Sequence, residues 1–120
     1  MFTILVIEDH EDIRDNTIEI LEIEGYRAIG AKNSELGFEL AKIKIPDIII
    51  CGVRMPGVDC HEFLNKLKCN NTTSKIPFVF ILSNAEKENI QEGLNFGAAG
   101  YLVKPFETDE LLTMIKNILT

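Results

Sequence analysis

The sequence predicts an α/β fold: a doubly wound sheet of five parallel strands in the order 2-1-3-4-5, with five helices covering its two faces. Three observations predict it. Short apolar runs rich in β-branched residues recur along the 120-residue chain. Between them lie stretches with apolar residues at helical spacing. The runs are apolar throughout rather than alternating, as befits strands buried on both sides. Right-handed crossovers between such strands, wound both ways from the first, lead to the order 2-1-3-4-5.

Thr3 to Ile7 reads as the first buried strand. Ile13, Thr17, Ile20 and Leu21 follow at helical spacing, and Gly25 stops that helix. Tyr26 to Ala31 is a second strand. Leu36, Leu40 and Ile43 mark a second helix, opened by Asn33 or Ser34 and closed before Pro46. Asp47 to Val53 is a third strand, with Ile48-Ile49-Ile50-Cys51 at its centre, and Pro56-Gly57 is a turn. Asp59, with Glu62 three residues on, forms a capping box for a third helix bearing Phe63, Leu64 and Leu67. Ile76 to Leu82 is a fourth strand. A fourth helix, 86–96, has a thin apolar face of Ile90 and Leu94 and ends at Gly97. Tyr101-Leu102-Val103 is a short fifth strand. Thr108 caps a fifth helix with Leu111, Leu112, Ile115, Ile118 and Leu119 on one face.

Composition bounds the function. The length suits a single domain over residues 1–120 that buries its core without disulfide or metal staples. Twelve Lys plus Arg against 19 Asp plus Glu give a charge of -7, which argues against nucleic acid as a direct partner and against anionic membrane surfaces. No apolar run approaches a membrane span, and Met1 to Asp9 lacks a basic start and reaches acid too soon for a signal peptide. Cys51, Cys60 and Cys69 are odd in number and without CxxC spacing, so a reducing, cytoplasmic setting is expected, with Cys51 packed as a small hydrophobe.

In a doubly wound sheet the functional site lies beyond the carboxyl ends of the strands, where the winding reverses. Strand one ends in Glu8-Asp9, strand three in Gly52-Val53-Arg54, strand four in Ser83, and strand five in Lys104-Pro105. Adjacent carboxylates suit magnesium, a hard cation that takes oxygen ligands. A hydroxyl and an ammonium suit phosphoryl oxygens. Taken singly, each has a plainer reading: an acidic pair complements a helix dipole, a serine caps a helix, Lys-Pro makes a turn. Their convergence from four strand ends is the specific signal.

These residues sit in segments that resemble the receiver domain of bacterial two-component response regulators, a flavodoxin-like fold. The carriers are Ile4-Leu5-Val6-Ile7-Glu8-Asp9, Pro46-Asp47-Ile48-Ile49-Ile50-Cys51, Arg54-Met55-Pro56-Gly57-Val58-Asp59, Phe80-Ile81-Leu82-Ser83 and Gly97-Ala98-Ala99-Gly100-Tyr101-Leu102-Val103-Lys104-Pro105-Phe106. The resemblance implies a role in phosphorelay signal transduction, not an enzyme, with a sensor histidine kinase or phosphotransfer protein as partner. It implies that Asp9 ligates magnesium directly, Glu8 through water, and Arg54 through its backbone carbonyl. It further implies that Ser83 is the switch hydroxyl, Tyr101 the aromatic that follows it, and Lys104 the phosphoryl-binding lysine, with a cis peptide before Pro105. The fourth helix, fifth strand and fifth helix correspond to the face such domains use for dimerisation or output.

One position departs. The family's phospho-acceptor is an aspartate at the end of strand three, and counting from Pro46 that position holds Gly52. Glycine supplies neither a nucleophile nor a metal oxygen. Asp47 is no substitute, since five residues at about 3.3 Å each put it roughly 16 Å away. Asp59 is expected at a helix cap, and Glu8 and Asp9 at the metal position. Cys60 also replaces the family's usual glycine, without touching a catalytic role. The reading is therefore a pseudo-receiver acting as a protein-interaction module, with any magnesium site weakened. The alternative is an ordinary Asp-phosphorylated regulator whose acceptor was changed to glycine in this chain. A flavodoxin-like electron carrier is a remote third, because Glu8-Asp9-His10-Glu11-Asp12 after strand one repels phosphate. His10 and His61 read as solvent-facing helix residues.

Overall fold

The computed structural model describes residues 1–52, 54–55, 58–82 and 97–120, with 54–55 and 58–61 described through their backbone alone. In chain order the elements are β1 (Thr3–Ile7), α1 (Glu11–Ile23), β2 (Arg27–Ala31), α2 (Ser34–Lys44), β3 (Ile48–Gly52), β4 (Arg54–Met55), β5 (Val58–Asp59), α3 (Cys60–Lys68), β6 (Phe78–Leu82), β7 (Gly100–Val103) and α4 (Thr108–Leu119). The main sheet runs β2-β1-β3-β6-β7 and every pairing is parallel. That is the expected 2-1-3-4-5 order of the five long strands. Four helices stand among the described residues. The expected helix at 86–96 lies outside them, as do Ser83, Val53 and the Pro56-Gly57 turn. Among the described residues near it is a small antiparallel pair, Arg54 opposite Asp59 and Met55 opposite Val58.

Alternation along the strands divides the core. Leu5, Ile7, Ile49, Cys51, Phe78, Phe80 and Leu82 point to one face and meet Phe38, Ala41, Phe63, Leu64 and Leu67. Ile4, Val6, Ile48, Ile50 and Val79 point to the other and meet Leu21, Leu111 and Ile115. Each strand thus needs apolar residues at every position, which is why the runs are unbroken. Cys51 is fully buried, as a small hydrophobe should be.

Helix ends follow local chemistry. Asn33 caps α2, its side-chain oxygen accepting the Leu36 N–H at 2.8 Å. Gly25, at φ 95°, takes the left-handed turn after α1. The last helix is capped by Glu107 rather than Thr108: the Glu107 side chain takes the N–H three residues on, and Glu110 Oε1 accepts the Glu107 N–H at 3.2 Å. Thr108 was the expected cap because a β-hydroxyl is a favoured one, but the reciprocal pair of acids satisfies two donors where a threonine satisfies one.

Two buried faces differ from expectation. Along α2, Leu40 packs partly against the core as expected, but Leu36 and Ile43 are exposed, and the fully buried residues are Ser34, Gly37, Phe38 and Ala41. The cause is closeness of approach: a Cβ on Gly37 would stand 2.5 Å from Ile7 Cδ1, so only a notch of small residues lets α2 lie on β1. Phe38 closes that seam beneath the ammonium groups of Lys42 and Lys66, each 4.5 Å from its ring centre. Along α1, Ile13 is exposed and Leu21 is the buried residue, with Ile18 packed beside it. On α4, Leu111 and Ile115 are buried and Leu112, Ile118 and Leu119 pack partly against the same cluster, as the spacing predicts.

Candidate functional site

The carboxyl ends of β1, β3 and β7 bring three of the singled-out residues together. Glu8 follows β1 directly, and its N–H donates to Ala31 O at 3.0 Å, extending the ladder one residue. Its side chain is only 12% exposed. Lys104 follows β7, its N–H donating to Leu82 O at 2.7 Å, and the Lys104-Pro105 peptide is cis as expected. The Lys104 Nζ lies 3.7 Å from Glu8 Oε1. That is an ion contact longer than the roughly 2.7–2.9 Å of a tight charge-assisted hydrogen bond.

Gly52 completes the group. A Cβ built on it would stand 3.3 Å from Glu8 Oε1. Glu8 therefore leans over the end of β3, into the direction a side chain at residue 52 would take. Gly52, Glu8, Lys104, Thr17, Ile81 and Phe106 help line a small cavity of about 30 Å³.

Electrostatics at Glu8 follow from this setting. Burial pushes its carboxyl above the ordinary range, and a hydrogen bond with Asp9 pushes the same way. The His10 N–H, donating to Glu8 Oε2 at 3.2 Å, and the Lys104 ammonium pull it back down. Asp9 itself is exposed. Arg14 was missed from sequence: its Nη1 donates to the Glu8 backbone carbonyl at 2.8 Å, fixing the turn that carries the acidic pair. The available signal was its isolation as the one Lys or Arg before Arg27.

Other singled-out residues fall elsewhere. Arg54 lies in β4, two residues beyond Gly52, and Ser83 lies outside the described residues. Tyr101 is on β7, 40% exposed, beside an open groove of about 550 Å³ between β7 and α4. Asp47 is at the opposite edge of the sheet, tying β3 to β1: its Oδ2 accepts the Thr3 N–H and its N–H donates to Thr3 O, both at 2.7 Å. It cannot reach Gly52. Asp59, Cys60 and His61 are described by backbone only, and His10 is exposed just ahead of α1.

As a metal site the described donors are thin. Among the described residues no three of His, Cys, Asp and Glu gather to hold an ion. Both oxygens of Glu8 already face a partner, one the Lys104 ammonium and one the His10 N–H.

The sequence profile of the response regulator receiver domain matches residues 4–116. The chain belongs to that family. Over 117 residues it is 32% identical to the phosphate regulon transcriptional regulatory protein PhoB of Pseudomonas aeruginosa, covering 98% of this chain and 51% of that protein. It is 37% identical to histidine kinase P4 of Formosa agariphila, again over 98% of this chain but 8% of the kinase. This receiver domain thus spans about half the length of the first and a small part of the second. Its fold matches a response regulator of Chloroflexus aurantiacus, described as putative, at a TM-score of 0.92 with 28% identity, covering 98% of this chain and 97% of that one. It matches the chemotaxis response regulator CheY4 of Vibrio cholerae at 0.91 with 28% identity and 99% coverage of both. Receiver domains are signalling modules of two-component systems, working with histidine kinases or phosphotransfer proteins. No helix among the described residues is long and apolar enough to cross a membrane.

Proposed function

We propose that this receiver domain is a pseudo-receiver: it does not accept a phosphoryl group at the family's usual position and acts as a protein-interaction module in a cytoplasmic phosphorelay. The observation that supports this reading is Gly52, at the carboxyl end of β3 beside Glu8 and across from Lys104. An aspartate there would be the nucleophile; glycine has no carboxylate to attack a phosphohistidine or a small acyl phosphate. The chain on this reading is not an enzyme. Glu8, Asp9 and the Arg54 carbonyl would hold magnesium, weakly for want of a third carboxylate. A sensor histidine kinase or phosphotransfer protein is the partner. A homodimer would form through the face of β7 and α4, together with residues 86–96.

Incubation with acetyl phosphate and magnesium, read by intact mass, tests the reading. The expected result is no added phosphoryl group on this chain and an added one on Gly52→Asp. A phosphoryl adduct on the unaltered chain would refute it. Light scattering across a concentration series tests self-association, and a monomer throughout would remove the dimer.

Glu8, Asp9 and Lys104 are all retained around Gly52, and this favours a second reading. The chain would descend from an ordinary phospho-accepting regulator by a single replacement at residue 52. Sequencing the native gene decides it, since an aspartate codon there would establish the change.

A further inference from the structure

Resting on the reading of Gly52 given above, we infer that Lys104 is the resident cation of this site: Glu8 holds its ammonium in the space a divalent ion would need, so the two cations exclude one another. Glu8 Oε1 is the shared atom. It is 3.7 Å from Lys104 Nζ and 3.3 Å from where a Cβ on residue 52 would stand. A side chain on residue 52 would fill that direction. With glycine there, Glu8 turns inward and takes up the pairing.

Its second oxygen is also engaged, accepting the His10 N–H at 3.2 Å. A metal ion at Glu8 would have to share the carboxylate with these two donors. Magnesium demands near-octahedral oxygen at about 2.0–2.1 Å and keeps several of its waters. The cavity of about 30 Å³ that Glu8, Gly52 and Lys104 help line is otherwise walled mostly by apolar side chains such as Ile13, Ile81 and Phe106, a poor setting for a hydrated ion.

Charge points the same way. Glu8 and Asp9 bring two negative charges and Lys104 one positive charge. A third carboxylate would let a divalent ion enter and leave the group neutral. With two, the same ion leaves an uncompensated positive charge beside a side chain that is 12% exposed, where such a charge is poorly solvated. The ammonium alone leaves one negative charge, and that charge can sit on exposed Asp9.

Two readouts on the whole chain test this. Magnesium affinity is measured by titration calorimetry for the unaltered chain, Lys104→Met and Lys104→Arg. Removing the ammonium while keeping the stem is expected to tighten binding about tenfold, or ~1.4 kcal/mol, while arginine leaves it weak. Separately, the reaction of Lys104 with an amine-acylating reagent is followed by peptide mass on the unaltered chain, with and without saturating magnesium. Labelling is expected to rise several-fold as the ion displaces the ammonium from Glu8. Unchanged labelling on saturation overturns the inference, and so does equal affinity in a cooperatively folded Lys104→Met. The labelling arm needs no variant, so misfolding cannot hide the answer. Failure of the pseudo-receiver reading would show instead as phosphoryl mass on the unaltered chain, which neither readout registers.

Discussion

Replacing Gly52 by aspartate should lower stability without metal and raise magnesium affinity. The new Cβ would stand 3.3 Å from Glu8 Oε1, so Glu8 must shift by a few tenths of an ångström even before the carboxylate is placed. The two carboxylates then come within about 4 Å, where like charges repel by up to ~4 kcal/mol at an effective dielectric of ~20. Two effects offset this. Leaving glycine in a strand regains about 0.5–1 kcal/mol of backbone entropy. Lys104, already 3.7 Å from Glu8, can be shared between the acids, although at 40% exposure its attraction is screened. A net loss of about 2 kcal/mol remains, or roughly 5–10 °C in Tm for a domain this size. Saturating magnesium should recover most of that difference, because on the proposed reading a third carboxylate would complete the ligand set. Thermal melts of both proteins in a chelator and in magnesium give all four values. A Gly52→Asp protein that melts at or above the unaltered chain in the chelator would show that repulsion from Glu8 does not dominate at this strand end.

Three further outcomes are expected from the contacts of Glu8, Gly37 and Asn33. The Glu8 carboxyl is raised by burial above its ordinary 4.5, so the native chain holds more protons than the unfolded one just above that pH. The burial penalty is then absent below about 4.5 and complete once pH exceeds the native value. Glu8→Gln should therefore melt at or above the unaltered chain at pH 7.5, with that advantage shrinking toward pH 4; an advantage that grew on acidification would reverse the sign. Gly37→Ala drives a methyl to 2.5 Å from Ile7 Cδ1 in a fully packed seam; overpacking costs about 1–3 kcal/mol against ~1 kcal/mol of helix propensity regained, so denaturant melts should show a loss of about 1 kcal/mol, and a gain would mean the seam has slack. Asn33→Ala removes the bond to the Leu36 N–H and should cost about 1 kcal/mol in the same assay.

What could be read from sequence and what could not separate along a physical line. The strands were legible because each is buried on both faces, so Ile4 to Ile7 and Ile48 to Cys51 had to be apolar at every position. The last helix was legible because large residues, Leu111 and Ile115, do its packing. The second helix misled because its contact is made by absence of bulk: Gly37 and Ala41 form the notch, while the conspicuous Leu36 and Ile43 face water. A small pair spaced i, i+4 with Phe38 beside it was the usable signal.

The site divides in the same way. Sequence order alone brought Glu8, Gly52 and Lys104 to one edge, since topology fixes where strands end. It could not say which way Glu8 turns. That direction is a competition among nearby groups: Lys104 and the His10 N–H draw the carboxylate inward, and burial opposes its charge there. With glycine at residue 52, no side chain from the end of β3 competes for that space, and Glu8 leans into it. On the pseudo-receiver reading proposed above, the missing carboxyl would therefore do more than remove a nucleophile. It would also leave Lys104 paired with Glu8, and on the inference drawn above that pairing would set which cation the site prefers.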